Sequence, residues 1–167
     1  MITTTQRSPR RAGWLAVAGV ATLILAGCAP AQEPPGGAPA ADGPLHTAST
    51  SLGEIIVDGA GMTAYVFDED VADSGESSCS GSCARLWPAI TTDSTTPEVE
   101  GVTGTVGTID AAGGVKQVTI NGHPLYTYVG DGAPGDTTGQ GYDGTWWVVD
   151  ASGTKITEAP PTEDRGY

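Results

Sequence analysis

Two stretches of this chain repeat one pattern, and the duplication constrains the fold more than any other feature. Thr63–Asp70 reads TAYVFDED and Pro124–Asp131 reads PLYTYVGD. Each places two aromatics at alternate positions and an aspartate three residues later: Tyr65, Phe67 and Asp70, then Tyr126, Tyr128 and Asp131. Alternate residues of a strand point to one face, so each aromatic pair shares a face. The aspartate falls where the strand should end, a position at which a carboxylate accepts backbone N–H groups and fixes a turn. Superposing Tyr65 on Tyr126 also aligns Ala64 with Leu125 and Met62 with His123.

The flanks agree. Glu54–Asp58 and Met62–Asp68 bracket DGAG, while Val115–Ile120 and His123–Val129 bracket Asn121-Gly122. Asn-Gly is a strong hairpin signal, because both central residues of a type I′ turn need positive φ. On this alignment the first loop is two residues longer, an even difference that leaves the flanking side chains on the same face. With two copies the chain is a duplication and not a solenoid.

The remaining segments extend the same architecture. Thr105–Ile109 is expected to pair with Val115–Ile120 across DAAGG, and Thr145–Asp150 with Thr154–Thr157 across ASG. Ser80–Trp87 is expected as a short helix stopped by Pro88, and Pro124 marks an edge or a bulge. No amphipathic helical period is sustained elsewhere. The expected fold is all-β: a small hairpin-built sandwich or partly open barrel over residues 51–159, with two internal repeats and one short helical insert. Ala29–Thr50 is rich in Pro, Gly and Ala, and reads as a disordered stalk that cannot bury enough surface to offset its ordering entropy. Residues 160–167 read as a disordered tail.

Residues 1–27 form an export leader. Arg7, Arg10 and Arg11 precede an apolar run, Trp14–Leu25, that is too short to span a bilayer. The run ends in Leu25-Ala-Gly-Cys28, which resembles the lipobox of bacterial lipoproteins. That resemblance implies a diacylglyceryl group on Cys28, cleavage before it, and acylation of the new N-terminus, which together anchor the chain to the cell membrane. The acyl group on the new N-terminus would be a palmitate-type chain. The paired arginines are a weak twin-arginine signal. All 20 acidic residues but only four of the seven basic ones lie beyond Cys28, giving a formal charge of −16 after cleavage. Such a chain is a poor partner for nucleic acid, whose affinity rests on cationic neutralisation of phosphates. It is also repelled by anionic headgroups.

Two cysteines remain after Cys28, and an even pair outside the cytoplasm reads as a disulfide, Cys79–Cys83. The competing reading is copper. C-x-x-x-C with a distant histidine is similar to the Sco-type copper chaperones, and His123 and Met62 supply further soft or borderline ligands. The α/β alternation of that fold is missing. Other chemistries find less. The acidic run Asp68–Glu76 lacks the glycine and glutamate of a calcium loop and reads as a solvated loop. Gly135–Gly144 has no G-K-[ST] ending and reads as a surface loop in which Asp136, Thr137 and Thr138 bond locally. No G-x-S-x-G elbow exists, and no carboxylate pair stands out for a hydrolase. Trp87, Trp146 and Trp147 read as core and rim aromatics rather than as a carbohydrate groove.

The paired motifs resemble the bacterial secreted-repeat lipoproteins named for Y-x-[FWY]-x-x-D. Cys79–Ile90 is similar to the family's segment after its first repeat and Gly135–Val149 to that after its second. The resemblance covers nearly all of Ser51–Gly153 and implies no chemistry. The expectation is therefore a non-catalytic binding or structural module of the cell envelope, without a cofactor, whose partner is an envelope protein or a small ligand. The alternative is an extracytoplasmic copper or redox protein using Cys79, Cys83 and His123.

Overall fold

The computed structural model describes residues 44–158; the leader, Cys28, the rest of the expected stalk and the tail lie outside the described residues. Among the described residues strands dominate, arranged in small sheets with one short α-helix and no closed barrel. The strands are β1 (Leu45–Thr50), β2 (Gly53–Asp58), β3 (Tyr65–Phe67), β4 (Thr91–Thr92), β5 (Val106–Asp110), β6 (Lys116–Ile120), β7 (His123–Pro124) and β8 (Trp146–Val148). Helix α1 (Ser82–Leu86) lies between β3 and β4 and ends before Pro88, as expected. Pro124 closes β7 after two residues.

The hairpins are where the sequence places them. The β6–β7 turn has Asn121 at φ 48° and Gly122 at φ 81°, the double positive φ of a type I′ connection. β5 pairs with β6, and Val149 pairs with Lys155 across the last turn. The loop count differs from the expectation. Asp58 N–H bonds Met62 O, enclosing three residues, whereas Ile120 faces His123 across two. The first loop is thus longer by one residue and not two. Gly61, at φ 84°, absorbs the extra residue in a left-handed position, as in a three-residue hairpin loop, and the register beyond it is kept.

Leu45–Thr50 is not stalk but strand β1, paired along its whole length with β2 from Leu45↔Asp58 to Thr50↔Gly53. His46 therefore lies in the sheet, opposite Val57. Only Leu45 of this strand is fully buried, so its sequence carries no alternating apolar signal. Its counterpart is β5 on β6 in the other repeat, and that internal comparison was the available clue.

The repeats exchange strands. The β2 hairpin takes in the strand that ends the second repeat: β3 pairs with β8, and Ile56 N–H bonds Val149 O at 3.0 Å. The β6 hairpin takes in the strand that ends the first: Thr127 N–H bonds Pro88 O at 2.9 Å, and Val118 N–H bonds Ile90 O at 2.9 Å. Tyr65 and Tyr126 exchange both backbone hydrogen bonds, at 2.8 and 3.0 Å, so a local two-fold axis passes between them. The layer so formed is buried on both faces. Ile56, Ala64, Val66, Val118, Leu125 and Val149 make an aliphatic side. Ile55, Val57, Tyr65, Trp87, Tyr126, Trp146 and Val148 make an aromatic one. Burial on both faces explains the unbroken Ile55-Ile56-Val57 run, which a half-exposed strand would not show.

Candidate functional site

The motif residues build an interlocked pair. Tyr65, fully buried, donates its hydroxyl proton to Asp131 Oδ2 at 2.8 Å, and Tyr126 donates to Asp70 Oδ2 at 2.7 Å. Each tyrosine thus meets the aspartate of the other repeat. Each aspartate also fixes its own loop, as the spacing suggested. Asp70 Oδ1 accepts Ser78 N–H, and Asp131 Oδ1 accepts Thr138 N–H and Oγ1–H. Gly139 N–H reaches the Tyr65 oxygen at 3.2 Å, and Ser77 Oγ lies 2.7 Å from the Tyr126 oxygen. Both phenols are held well above the ordinary tyrosine range. Burial is the main cause in each, and donation to a carboxylate adds to it, while Ser77 works the other way at Tyr126.

The other motif aromatics complete the exchange. Phe67 stacks on Trp146 with centroids 4.2 Å apart, Trp146 on Trp87 at 3.8 Å, and Trp87 on Tyr128 at 4.4 Å. The result is a continuous four-ring stack whose two central tryptophans lie on the local axis. Tyr65 and Tyr126 meet Trp87 and Trp146 edge-on, each at 5.2 Å. Trp87 and Trp146 are therefore core, as expected. Trp147 is half-buried and packs as a rim aromatic against the aliphatic side.

Cys79 and Cys83 form a disulfide with Cα atoms 5.2 Å apart, across the first turn of α1. Among the described residues no group of three His, Cys, Asp or Glu side chains is placed to hold a metal ion. The Asp68–Glu76 run is not wholly solvated: Asp70 is buried, while residues 71–76 are exposed. In the Gly135–Gly144 loop Asp136 bonds locally, to the Gly132 and Ala133 N–H groups, but Thr138 is committed to Asp131.

The polar group the sequence did not assemble sits beside the turn of the second hairpin. A surface cavity of about 250 Å³ is lined by Val66, Phe67, Asp68, His123, Gly153 and Lys155. Asp68 Oδ1 accepts Lys155 Nζ at 2.6 Å and Oδ2 accepts Trp147 Nε1–H at 2.8 Å. The Lys155 ammonium also lies 5.6 Å over the Trp147 ring. Burial works against the Asp68 carboxylate, but the Lys155 and Trp147 hydrogen bonds outweigh it and hold the carboxyl below its usual range. His123 Nδ1 is buried without a hydrogen-bond partner. The two repeats diverge here. Asp68 N–H bonds Thr145 O, and its counterpart Val129 N–H bonds Leu86 O, so Val129 stands where Asp68 does. By the same correspondence Met62 stands for His123 and Pro88 for Trp147. That comparison between repeats was the sequence signal for this site.

A duplicated, strand-exchanged all-β domain with a buried aromatic axis is the class these features define. The family described as "secreted repeat of unknown function" matches the chain twice, over residues 46–91 and 107–150, more than half of its length. The chain belongs to that family, and the two matches coincide with the two halves of the fold. No curated protein and no solved structure matches it.

Proposed function

We propose that this chain is a lipid-anchored protein of the bacterial cell envelope, tethered through Cys28, whose duplicated domain is a rigid, non-catalytic binding module. The paired Y-x-[FWY]-x-x-D signature is on this reading its scaffold. One observation carries the assignment: the Tyr65 and Tyr126 hydroxyls and the Asp70 and Asp131 carboxylates are buried and spent on each other across the repeats, as scaffold groups and not as groups poised to act on a substrate. Extracytoplasmic location is supported by membership of a secreted family. Anchoring is supported by the leader and its Leu-Ala-Gly-Cys28 ending. The span from Cys28 to Leu45 would let the domain stand up to roughly 60 Å from the surface if fully extended, and the acidic excess would keep it from lying on anionic headgroups.

The test is metabolic labelling of the full chain with radioactive palmitate in a bacterial host, beside Cys28→Ser. Label in the wild type, none in the variant, and release of the variant from the membrane fraction are expected. A Cys28→Ser chain that stays membrane-bound overturns the anchor.

A further inference from the structure

We propose that the cavity between Phe67 and Lys155 is the module's binding site and that it takes a small aromatic monocarboxylate. The proposal rests on the binding-module reading above and gives it a place and a chemistry.

The local two-fold axis supplies the first argument. Residues that the axis needs are the same on both sides: tyrosine, a second aromatic, aspartate and tryptophan. Side chains on the axis itself recur in both halves, because there both halves solve one packing problem. Asp68, His123 and Trp147 do not recur; Val129, Met62 and Pro88 stand in their places. The axis therefore does not account for Asp68 and His123, which line one cavity with Lys155, while Trp147 packs against the aliphatic side and bonds Asp68 from there.

The donors supply the second argument. Both oxygens of Asp68 are engaged, by Lys155 and by Trp147, so this carboxylate orients the ammonium and offers little to a ligand. Lys155 has spent one of its three N–H donors on Asp68. His123 buries Nδ1 without a partner and therefore presents its other nitrogen as the ring's accessible polar atom. An ammonium and an imidazole beside the Phe67 ring and the Val66 side chain match a carboxylate joined to a flat apolar body. The volume, about 250 Å³, lies below the usual range of drug-sized sites and limits the body to about one ring. The nearest negative charge, Asp68 in the cavity wall, is paired with Lys155 at 2.6 Å, and the acidic residues more than about 8 Å away are largely screened at physiological salt.

The experiment titrates the ¹⁵N-labelled full chain, purified in detergent, with sodium benzoate and separately with benzamidine, its cationic analogue. The reporters are the Trp147 indole N–H and the Gly153 amide. Saturable benzoate shifts at these two signals are expected, with a Kd of roughly 1 mM, the affinity of so small a ligand at ordinary binding energy per atom. Lys155→Met should weaken binding about tenfold, and His123→Met, which installs the residue of the other repeat, should weaken it measurably. Lys116→Met removes the same charge from the other ion pair, with Asp110, and should change nothing. Should Lys155→Met fail to fold, His123→Met carries the test, since the same turn position holds methionine in the first repeat. No saturable shift, unchanged affinity in His123→Met and Lys155→Met, or preference for benzamidine each overturns the proposal. Saturable shifts confined to residues outside the cavity overturn this site but leave a binding module standing, and neither result bears on acylation of Cys28.

Discussion

Exchange of tyrosine–aspartate partners between the repeats is measurable as a coupling energy. Tyr65→Phe removes one buried hydroxyl, depriving Asp131 Oδ2 of its donor and Gly139 N–H of its acceptor. A hydrogen bond to a charged group contributes about 1.5–3 kcal/mol, so the variant should lose about that much stability. Asp131→Ala removes the acceptor of the Tyr65 hydroxyl and of both Thr138 donors, and should lose more. The double variant isolates the pair, with an expected interaction of about 1.5–3 kcal/mol. Tyr65→Phe combined with Asp70→Ala, its own repeat's aspartate, should instead add within about 0.5 kcal/mol, because the two share no hydrogen-bond partner. Urea denaturation followed by tryptophan fluorescence reads all of these, with a constant m-value as the check on two-state behaviour. Coupling of Tyr65 to Asp70 as large as that to Asp131 would refute the exchanged arrangement.

Two further outcomes are expected. Tyr65 and Tyr126 titrate above the ordinary tyrosine range in the fold, so above pH of about 10 the unfolded chain releases protons that the folded chain keeps. Stability contributed by these groups is whole below that pH and falls as pH rises beyond it, by up to about 1.4 kcal/mol per unit for each. Urea midpoints at rising pH should show this, and a Tyr65→Phe/Tyr126→Phe chain with an equally steep decline would contradict it. Reduction of Cys79–Cys83, which closes a five-residue segment, should lower stability by about 2 kcal/mol on the loop-entropy account; an unchanged denaturation midpoint in reductant would show that α1 holds its loop without the bond.

The sequence by itself determined every feature written in local pattern. Asn121-Gly122 dictates its turn because few residues accept two successive positive φ values. Pro88 stops α1 because it cannot continue a helix. Spacing puts Tyr65 with Phe67, and Tyr126 with Tyr128, on shared faces, and paired cysteines outside the cytoplasm close into a disulfide. The duplication itself is legible as text. β1 has no local signature, because His46–Thr50 shows no apolar alternation, and the one-residue loop difference is hidden, because a left-handed Gly61 takes one residue out of strand parity. Tertiary structure decided which copy supplies each partner. Tyr65 has an identical aspartate at hand in either repeat, so no local rule distinguishes Asp70 from Asp131; strand exchange about the axis makes that choice. It also brought Asp68, His123, Trp147 and Lys155 together from three separate segments. Such convergence depends on long-range register, which neighbouring residues in a sequence do not encode.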